Sequence, residues 1–137
     1  MKRILLDTHV LVWFAEGSPS LAEHARKRVQ RASGSEGLAV SAISFWEVAM
    51  LAARGRLSLS RPASEWRRLI LQAPGFLEAP LDGEIALDAA SLGAGAPKDP
   101  ADRFLAATAR VLGFRLATRD RRILDWAKSG RLDVLSV

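Results

Sequence analysis

Short apolar runs alternate along the chain with longer segments in which apolar residues recur at helical spacing. The short runs predict buried β-strands, and the longer periodic segments predict α-helices. The predicted strands span residues 2–6, 38–41, 75–79, 115–117 and 133–135. The predicted helices span residues 8–16, 21–32, 42–54, 63–73, 83–92, 100–112 and 120–127. Because strands and helices alternate, we expect an α/β fold, a three-layer sandwich with a mostly parallel central sheet flanked by helices.

The segments between these elements carry turn and capping residues. Ser20 is predicted to cap the second helix, Pro100 stands at the first position of the sixth, and Gly113 ends that helix. Residues 93–97 form a loop of Gly, Ala and Pro. No internal repeat and no interdomain linker interrupts the pattern. Residues 1–137 are therefore predicted to form a single domain around one core.

The chain is basic, with a formal net charge of +5. Basic clusters occur at residues 26–28, 67–68 and 119–122. A basic surface attracts phosphate polymers or an acidic protein. However, arginine far outnumbers lysine and alanine is abundant, which genomic base composition also explains. The charge by itself therefore leaves nucleic-acid binding open.

Several features of the chain bear on its compartment. There is no cysteine, which excludes a disulfide framework and a thiolate metal site. Asp7 interrupts the first apolar run too early for a signal peptide. The longest apolar stretch, residues 10–15, is far too short to cross a bilayer. We therefore expect a soluble, cytoplasmic protein that makes no membrane contact.

Four acidic residues lie in or beside apolar segments, where a charge needs an explanation. Asp7 ends the first predicted strand, and Asp120 follows the fourth. Glu47 stands in an apolar helix, and Asp102 in the first turn of another. Ligand sites in parallel sheets lie beyond the carboxyl ends of the strands, so this topology predicts that the four side chains converge. A cluster of carboxylates suits Mg²⁺ or Mn²⁺ and metal-dependent hydrolysis of a phosphodiester.

Each carboxylate also has a structural interpretation. Asp7 could cap the helix that follows it, and Asp120 the last helix, with Thr118 as the alternative cap. Glu47 could reach solvent or pair with Arg54. A capping role explains Asp99, which precedes Pro100, more fully than it explains Asp102. We therefore favour Asp102 as the metal ligand and keep Asp99 as the second candidate.

Four short segments, with a turn after the second, give the chain a family resemblance. The segments are residues 5–13 (LLDTHVLVW), 40–49 (VSAISFWEVA), 98–109 (KDPADRFLAATA) and 116–120 (LATRD), and the turn is 55–59 (GRLSL). In this order and spacing they resemble the PIN-domain ribonucleases, and among these the VapC-type toxins of toxin–antitoxin pairs. The resemblance covers essentially the whole chain and implies a PIN-like fold.

The resemblance implies roles for individual residues. Asp7, Glu47, Asp102 and Asp120 would coordinate one or two Mg²⁺ or Mn²⁺ ions for hydrolysis of RNA by a metal-activated water. Thr8 and Thr118 match hydroxyl positions near the site, and Arg119 is a candidate for substrate binding. The family often carries a lysine four positions after the glutamate, where this chain has Leu51. A role for that lysine therefore does not carry over.

The resemblance also implies partners. Such toxins act on RNA, commonly form homodimers or higher toxin–antitoxin assemblies, and are silenced by a VapB-type antitoxin. The apolar helix over residues 42–54, with Phe45 and Trp46, is either plain core or part of such an interface. The rival interpretation is a catalytically silent PIN-fold module that binds RNA or antitoxin. The complete set of four acids favours the enzyme.

Overall fold

The computed structural model describes every residue from Met1 to Val137. Its sheet contains five strands: β1 (Ile4–Leu6), β2 (Leu38–Ser41), β3 (Phe76–Ala79), β4 (Arg115–Thr118) and β5 (Val134–Ser136). The strand order is β3-β2-β1-β4-β5, and all four pairings are parallel. The predicted α/β sandwich is therefore confirmed, with a sheet that is parallel throughout.

Seven helices connect and cover the strands. They are α1 (Thr8–Ala15), α2 (Glu23–Gly34), α3 (Ala42–Ala53), α4 (Ala63–Gln72), α5 (Gly83–Ala90), α6 (Pro100–Leu112) and α7 (Arg121–Ala127). None of these helices is both long enough and apolar enough to span a membrane. Every predicted element is present, and its ends fall within a few residues of the prediction.

The core lies on both faces of the sheet, because successive side chains of a strand point to opposite faces. Ile4 and Leu6 of β1 join one buried cluster together with Val29 of α2. Leu5 joins a second cluster with Leu105 of α6 and other residues of α6 and α7. The central strands are buried on both faces, which explains why they appear in the sequence as continuous apolar runs.

The predicted end of α6 agrees with the structure, whereas the predicted start of α2 does not. Gly113 ends α6 in the left-handed conformation with φ of 70°, as predicted. Ser20 does not cap α2, because that helix begins at Glu23 and Ala22 occupies the cap position without a side-chain hydrogen bond. Leu21 is buried just before the helix. Its backbone N–H donates a hydrogen bond of 3.2 Å to the Ser18 carbonyl oxygen, so residues 18–21 form a turn before the helix.

The strand order creates a switch point beside β1. The chain runs from β1 to β2 and β3 on one side, then returns to place β4 on the other side. Helix α3 begins directly after β2, one residue separates α1 from β1, and two residues separate α7 from β4. Side chains from these junctions therefore meet at the carboxyl edge of the sheet, where open α/β folds hold their ligands.

Candidate active site

A cleft of about 410 Å³ opens at this carboxyl edge. It contains all four of the predicted acids, together with the second candidate for the metal site. The lining residues are Asp7, His9, Val10, Trp13, Glu47, Asp99, Asp102, Arg119 and Asp120. Four separate parts of the sequence therefore meet in one place, which we call the acidic cleft.

Asp7 is the most deeply buried acid of the cleft, with 6% of its surface exposed. It precedes α1, but its side chain makes no capping hydrogen bond to that helix. Instead, the Thr118 hydroxyl at the end of β4 donates a hydrogen bond of 2.6 Å to Asp7 Oδ2. Burial raises the pKa of the Asp7 carboxyl, and the hydrogen bond from Thr118 opposes that rise. The capping interpretation of Asp7 is therefore wrong.

Asp99 and Asp102 lie at the start of α6 and differ in environment. Asp99 is exposed and caps the helix, since its Oδ2 accepts a hydrogen bond of 3.1 Å from the Asp102 backbone N–H. Asp102 is half-buried. Burial raises the pKa of Asp102 to about 7, with further contributions from the negative charges of Asp7, Asp99, Asp120 and Glu47. The cleft therefore concentrates negative charge around Asp102.

Glu47 lies in the middle of α3 and is half-buried. It takes part in none of the ion pairs of the molecule, so the predicted alternative of a pair with Arg54 is wrong. No cation of the protein therefore balances this carboxylate at close range. Of the five acids of the cleft, only Glu47 lies on the helix that follows β2.

Asp120 combines its two predicted roles. Its side chain caps α7 by accepting a hydrogen bond of 2.8 Å from the Arg122 backbone N–H. The same residue lines the acidic cleft. Its own backbone N–H donates to the Thr118 hydroxyl over 3.0 Å. Thr118 therefore links the two acids that follow β1 and β4.

The two predicted hydroxyls are buried, with Thr8 at 1% exposure and Thr118 at 0%. Thr8 Oγ1 shares a hydrogen bond of 2.9 Å with Ser44 Oγ, which ties α1 to α3 below the cleft. Thr118 holds Asp7. These contacts give both hydroxyls a positioning role. Their direct contact with a substrate stays a prediction.

Arg119 is the only Lys or Arg side chain that lines the cleft, and it does not pair with the acids. Its guanidinium carbon lies 4.2 Å from the centre of the Trp13 ring. Its Nη1 donates a hydrogen bond of 2.5 Å to the Ser20 carbonyl oxygen. Trp13 was not predicted as a site residue from the sequence. Its position four residues after His9, on a helix that begins beside Asp7, would have indicated it.

The donor set of the cleft fits a hard divalent cation, because it consists of carboxylate oxygens without a neighbouring ammonium or guanidinium partner. No group of three or more acidic or histidine side chains is arranged so that it could hold a metal ion as it stands. Mg²⁺ usually keeps several waters and takes only one or two carboxylates directly, so a closed cage of protein ligands is not required. The chemistry of the donors therefore fits a divalent cation that keeps most of its waters.

Comparison with known proteins bears on this architecture. The PIN domain family model matches residues 4–129. The chain belongs to the PIN-domain family. A curated relative of this PIN domain, Ribonuclease VapC22 of Mycobacterium tuberculosis (strain ATCC 25618 / H37Rv), is 36% identical over 123 residues. That match covers 90% of this chain and 91% of the relative. The resemblance inferred from the four sequence segments is confirmed.

Solved structures share the fold of this PIN domain. VapBC2 from Rickettsia felis, bound to a DNA fragment from its promoter, matches with a TM-score of 0.73 and 13% identity, covering 98% of both chains. DNA-bound VapBC from Salmonella typhimurium matches with a TM-score of 0.69 and 19% identity, covering 99% of this chain and 98% of the other. VapBC-1 from nontypeable Haemophilus influenzae gives a TM-score of 0.67, 19% identity and coverage of 98% and 97%. At these identities the likeness concerns the fold.

Proposed function

We propose that this PIN domain is a cytoplasmic, Mg²⁺-dependent endoribonuclease, active also with Mn²⁺, and the toxin of a VapBC-type pair. The observation that carries the proposal is the acidic cleft, in which five carboxylates meet without an ion pair. The 36% identity to Ribonuclease VapC22 over nine-tenths of the chain supports RNA as the substrate. A carboxylate cluster of this kind favours hydrolysis by water over covalent catalysis.

In this proposal Asp7, Glu47, Asp102 and Asp120 hold the cation, with Asp99 as the second candidate. The cation would acidify a bound water and stabilise the charge that develops on the phosphate. Thr118 keeps the Asp7 carboxylate oriented through its hydrogen bond. Arg119 would attract an RNA phosphate towards the mouth of a cleft that otherwise repels it.

Cleavage of a mixed RNA pool tests the activity. Wild-type protein with Mg²⁺ should cut RNA, whereas wild type in EDTA and Asp7→Asn with Mg²⁺ should not. Asp82→Asn is the matched control, because Asp82 caps α5 and does not line the acidic cleft. Equal cutting by the Asp7→Asn protein, or cutting in EDTA, would show that the acidic cleft is not the active site.

Metal binding is measured separately from cleavage, so that a missing RNA target does not hide the site. Calorimetric titration with Mn²⁺ should give saturable binding for wild type and for Asp82→Asn. Binding should be lost or greatly weakened in Asp7→Asn and Glu47→Gln. Identical titrations for all four proteins would contradict a metal site in the cleft.

A VapB-type antitoxin is the proposed protein partner. The similar structures from Rickettsia felis and Salmonella typhimurium are VapBC assemblies, which supports a partner of that class here. Co-expression with a VapB-type antitoxin should give a stable complex and suppress RNA cleavage. A co-expressed protein that neither copurifies nor inhibits would argue against the pairing.

A homodimer is the proposed assembly of the free protein. Helix α3 is apolar almost all round, yet Trp46 on it is 55% exposed. An exposed tryptophan on an apolar helix suits an interface. Light scattering should give twice the chain mass of 14.9 kDa, and Trp46→Glu should return the protein to that mass. A wild-type protein of 14.9 kDa at micromolar concentration would contradict the dimer.

A further inference from the structure

A second depression adjoins the acidic cleft across one turn of α1. The second depression, of about 320 Å³, shares His9 and Trp13 with the cleft. Its far side includes Arg56, in the turn after α3, and Leu57. We call it the Arg56 groove. His9 and Trp13 therefore form a ridge between a site rich in carboxylates and a groove that carries one arginine, Arg56, and one glutamate, Glu16.

Flat side chains make up this ridge. The rings of His9 and Trp13 lie 5.9 Å apart between centroids, at an interplanar angle of 44°. The Arg119 guanidinium carbon lies 4.2 Å from the centre of the Trp13 ring. His9 and Arg119 are exposed, and Trp13 is half-buried. We call His9, Trp13 and Arg119 the stacking cluster.

The carboxylates of the acidic cleft repel the phosphates of RNA, and base stacking on this cluster would offset that repulsion. RNA is a polyanion, and the acidic cleft carries five carboxylates against one arginine. Phosphate contacts alone would therefore bring a strand into the cleft poorly. Stacking of a base on an aromatic ring or on a guanidinium plane does not depend on the charge of the phosphate. A base held at the ridge would supply affinity next to the carboxylates.

We infer that the stacking cluster of His9, Trp13 and Arg119 binds an unpaired nucleobase of the RNA beside the phosphate held at the acidic cleft. The strand would then continue into the Arg56 groove, where Arg56 offers a guanidinium to a following phosphate and the Glu16 carboxylate is occupied by hydrogen bonds from Ser60. The inference rests on the proposed ribonuclease function and names the residues that contact a base of its substrate. A base in a duplex is already stacked on both faces, so the cluster takes up an unpaired base.

The test separates base contacts from phosphate contacts. All variants are built on Asp7→Asn, which should bind RNA without cutting it. Fluorescence anisotropy with Mg²⁺ then gives the Kd of two labelled probes, single-stranded oligoadenylate of twelve nucleotides and an abasic ribose-phosphate strand of equal length. The two probes carry the same phosphates, and only the first carries bases. The variants His9→Ala and Trp13→Ala are compared with His24→Ala, which replaces the other histidine, an exposed residue of α2.

His9→Ala and Trp13→Ala should weaken oligoadenylate binding by roughly fivefold to tenfold, at the lower end of what one stacked base contributes. Binding of the abasic strand should change by less than about twofold, since its phosphate contacts remain. His24→Ala should change neither. Trp13 packs partly against the core, so circular dichroism must show a folded Trp13→Ala protein. The exposed His9 provides the second, less disruptive variant.

Two results would overturn the inference. One is an equal loss of affinity for both probes in the His9 and Trp13 variants, because that would indicate a phosphate or purely structural effect. The other is an unchanged Kd for oligoadenylate in both variants, or no binding of that probe to the Asp7→Asn protein. Failure of the proposed ribonuclease activity gives a different result, since wild-type protein with Mg²⁺ would then leave the oligoadenylate probe and the mixed RNA pool uncut.

Discussion

On the flanks of the molecule carboxylates lie beside arginines, whereas in the acidic cleft five carboxylates face one arginine that contacts other groups. Arg28 pairs with Glu36, Arg67 with Glu78, and Arg110 with Asp88. We call these three pairs the flanking pairs. They join side chains of neighbouring elements on the protein surface, and none of them involves an acid of the cleft.

The pKa values show the consequence of this difference. Hydrogen bonding from Arg28, then from Ser35, lowers the pKa of Glu36 to about 2. Burial, followed by the charges of the other acids, raises the pKa of Asp102 to about 7. The same chemical group is therefore stabilised as an anion in one region and destabilised in the other. A region that destabilises its own charges without a partner in the protein is typical of a functional site.

The largest effect is expected when Glu47, in the acidic cleft, is replaced by glutamine. Glu47→Gln should reduce RNA cleavage at least ~100-fold, since even outer partners of a metal site are worth about 10–100-fold. Its melting temperature in EDTA should not fall, because no ion pair is lost. Initial cleavage rates and thermal melts measure both effects. Retained cleavage with a lowered melting temperature would mean that Glu47 is a structural residue.

Thr118→Val removes the hydroxyl that connects Asp7 to the Asp120 backbone. We expect Mn²⁺ affinity and cleavage to fall by about 10–100-fold, because the Asp7 carboxylate loses the donor that orients it. Thr108→Val is the matched control, since Thr108 is equally buried but donates to the Phe104 carbonyl oxygen within α6. Similar losses in both variants would point to a general packing defect.

The dependence of stability on pH should have opposite signs in the two regions when EDTA removes divalent cations. The pKa of Asp102 is raised from 3.8 to about 7, so the folded state binds its proton more tightly than the unfolded state. Stability from this group should therefore decrease as pH rises from about 4 to about 7. Glu36, with its pKa lowered from 4.5 to about 2, should contribute stability above pH 4.5 and lose it as pH falls towards 2.

Thermal melts across this pH range, with Asp102→Asn and Glu36→Gln, assign the two slopes. Asp102→Asn should flatten the decline between about pH 4 and pH 7, and Glu36→Gln should flatten the loss below pH 4.5. A saturating divalent cation should also remove the decline in the wild type, since it offsets the negative charge. A decline that persists in Asp102→Asn would have to be assigned to another group.

The smallest effect is expected for a flanking pair. Glu78→Gln removes the negative charge and one of the two oxygens that accept hydrogen bonds of 2.7 and 2.8 Å from Arg67. Both side chains are partly exposed, so water compensates for much of the loss and the melting temperature should fall by a few degrees at most. Cleavage should be unchanged. A cleavage defect as large as that of Glu47→Gln would abolish the distinction between the two regions.

The order of the elements and the meeting of the acids could be predicted from the sequence, because both depend on local patterns. Asp7 and Asp120 directly follow apolar runs, and parallel strands bring the ends of such runs to one edge. The start of α2 was predicted too early, because residues 18–21 form a turn closed by a hydrogen bond from the Leu21 N–H to the Ser18 carbonyl oxygen. The predicted pairing of Glu47 with Arg54 does not form; the two residues lie about two helical turns apart, beyond the spacing of three or four residues at which side chains on a helix meet.

The sequence by itself determined the alternating strands and helices, and with them the parallel sheet and the acidic edge, since hydrophobic periodicity fixes which residues must be buried. Only the tertiary structure determined which acidic side chains form ion pairs with arginines and which do not. Thr118 meets Asp7 from 111 residues away, and Arg119 reaches Trp13 and Ser20 instead of the carboxylates beside it. Such contacts join side chains from elements far apart in the sequence, so they depend on distances and angles that no local pattern specifies.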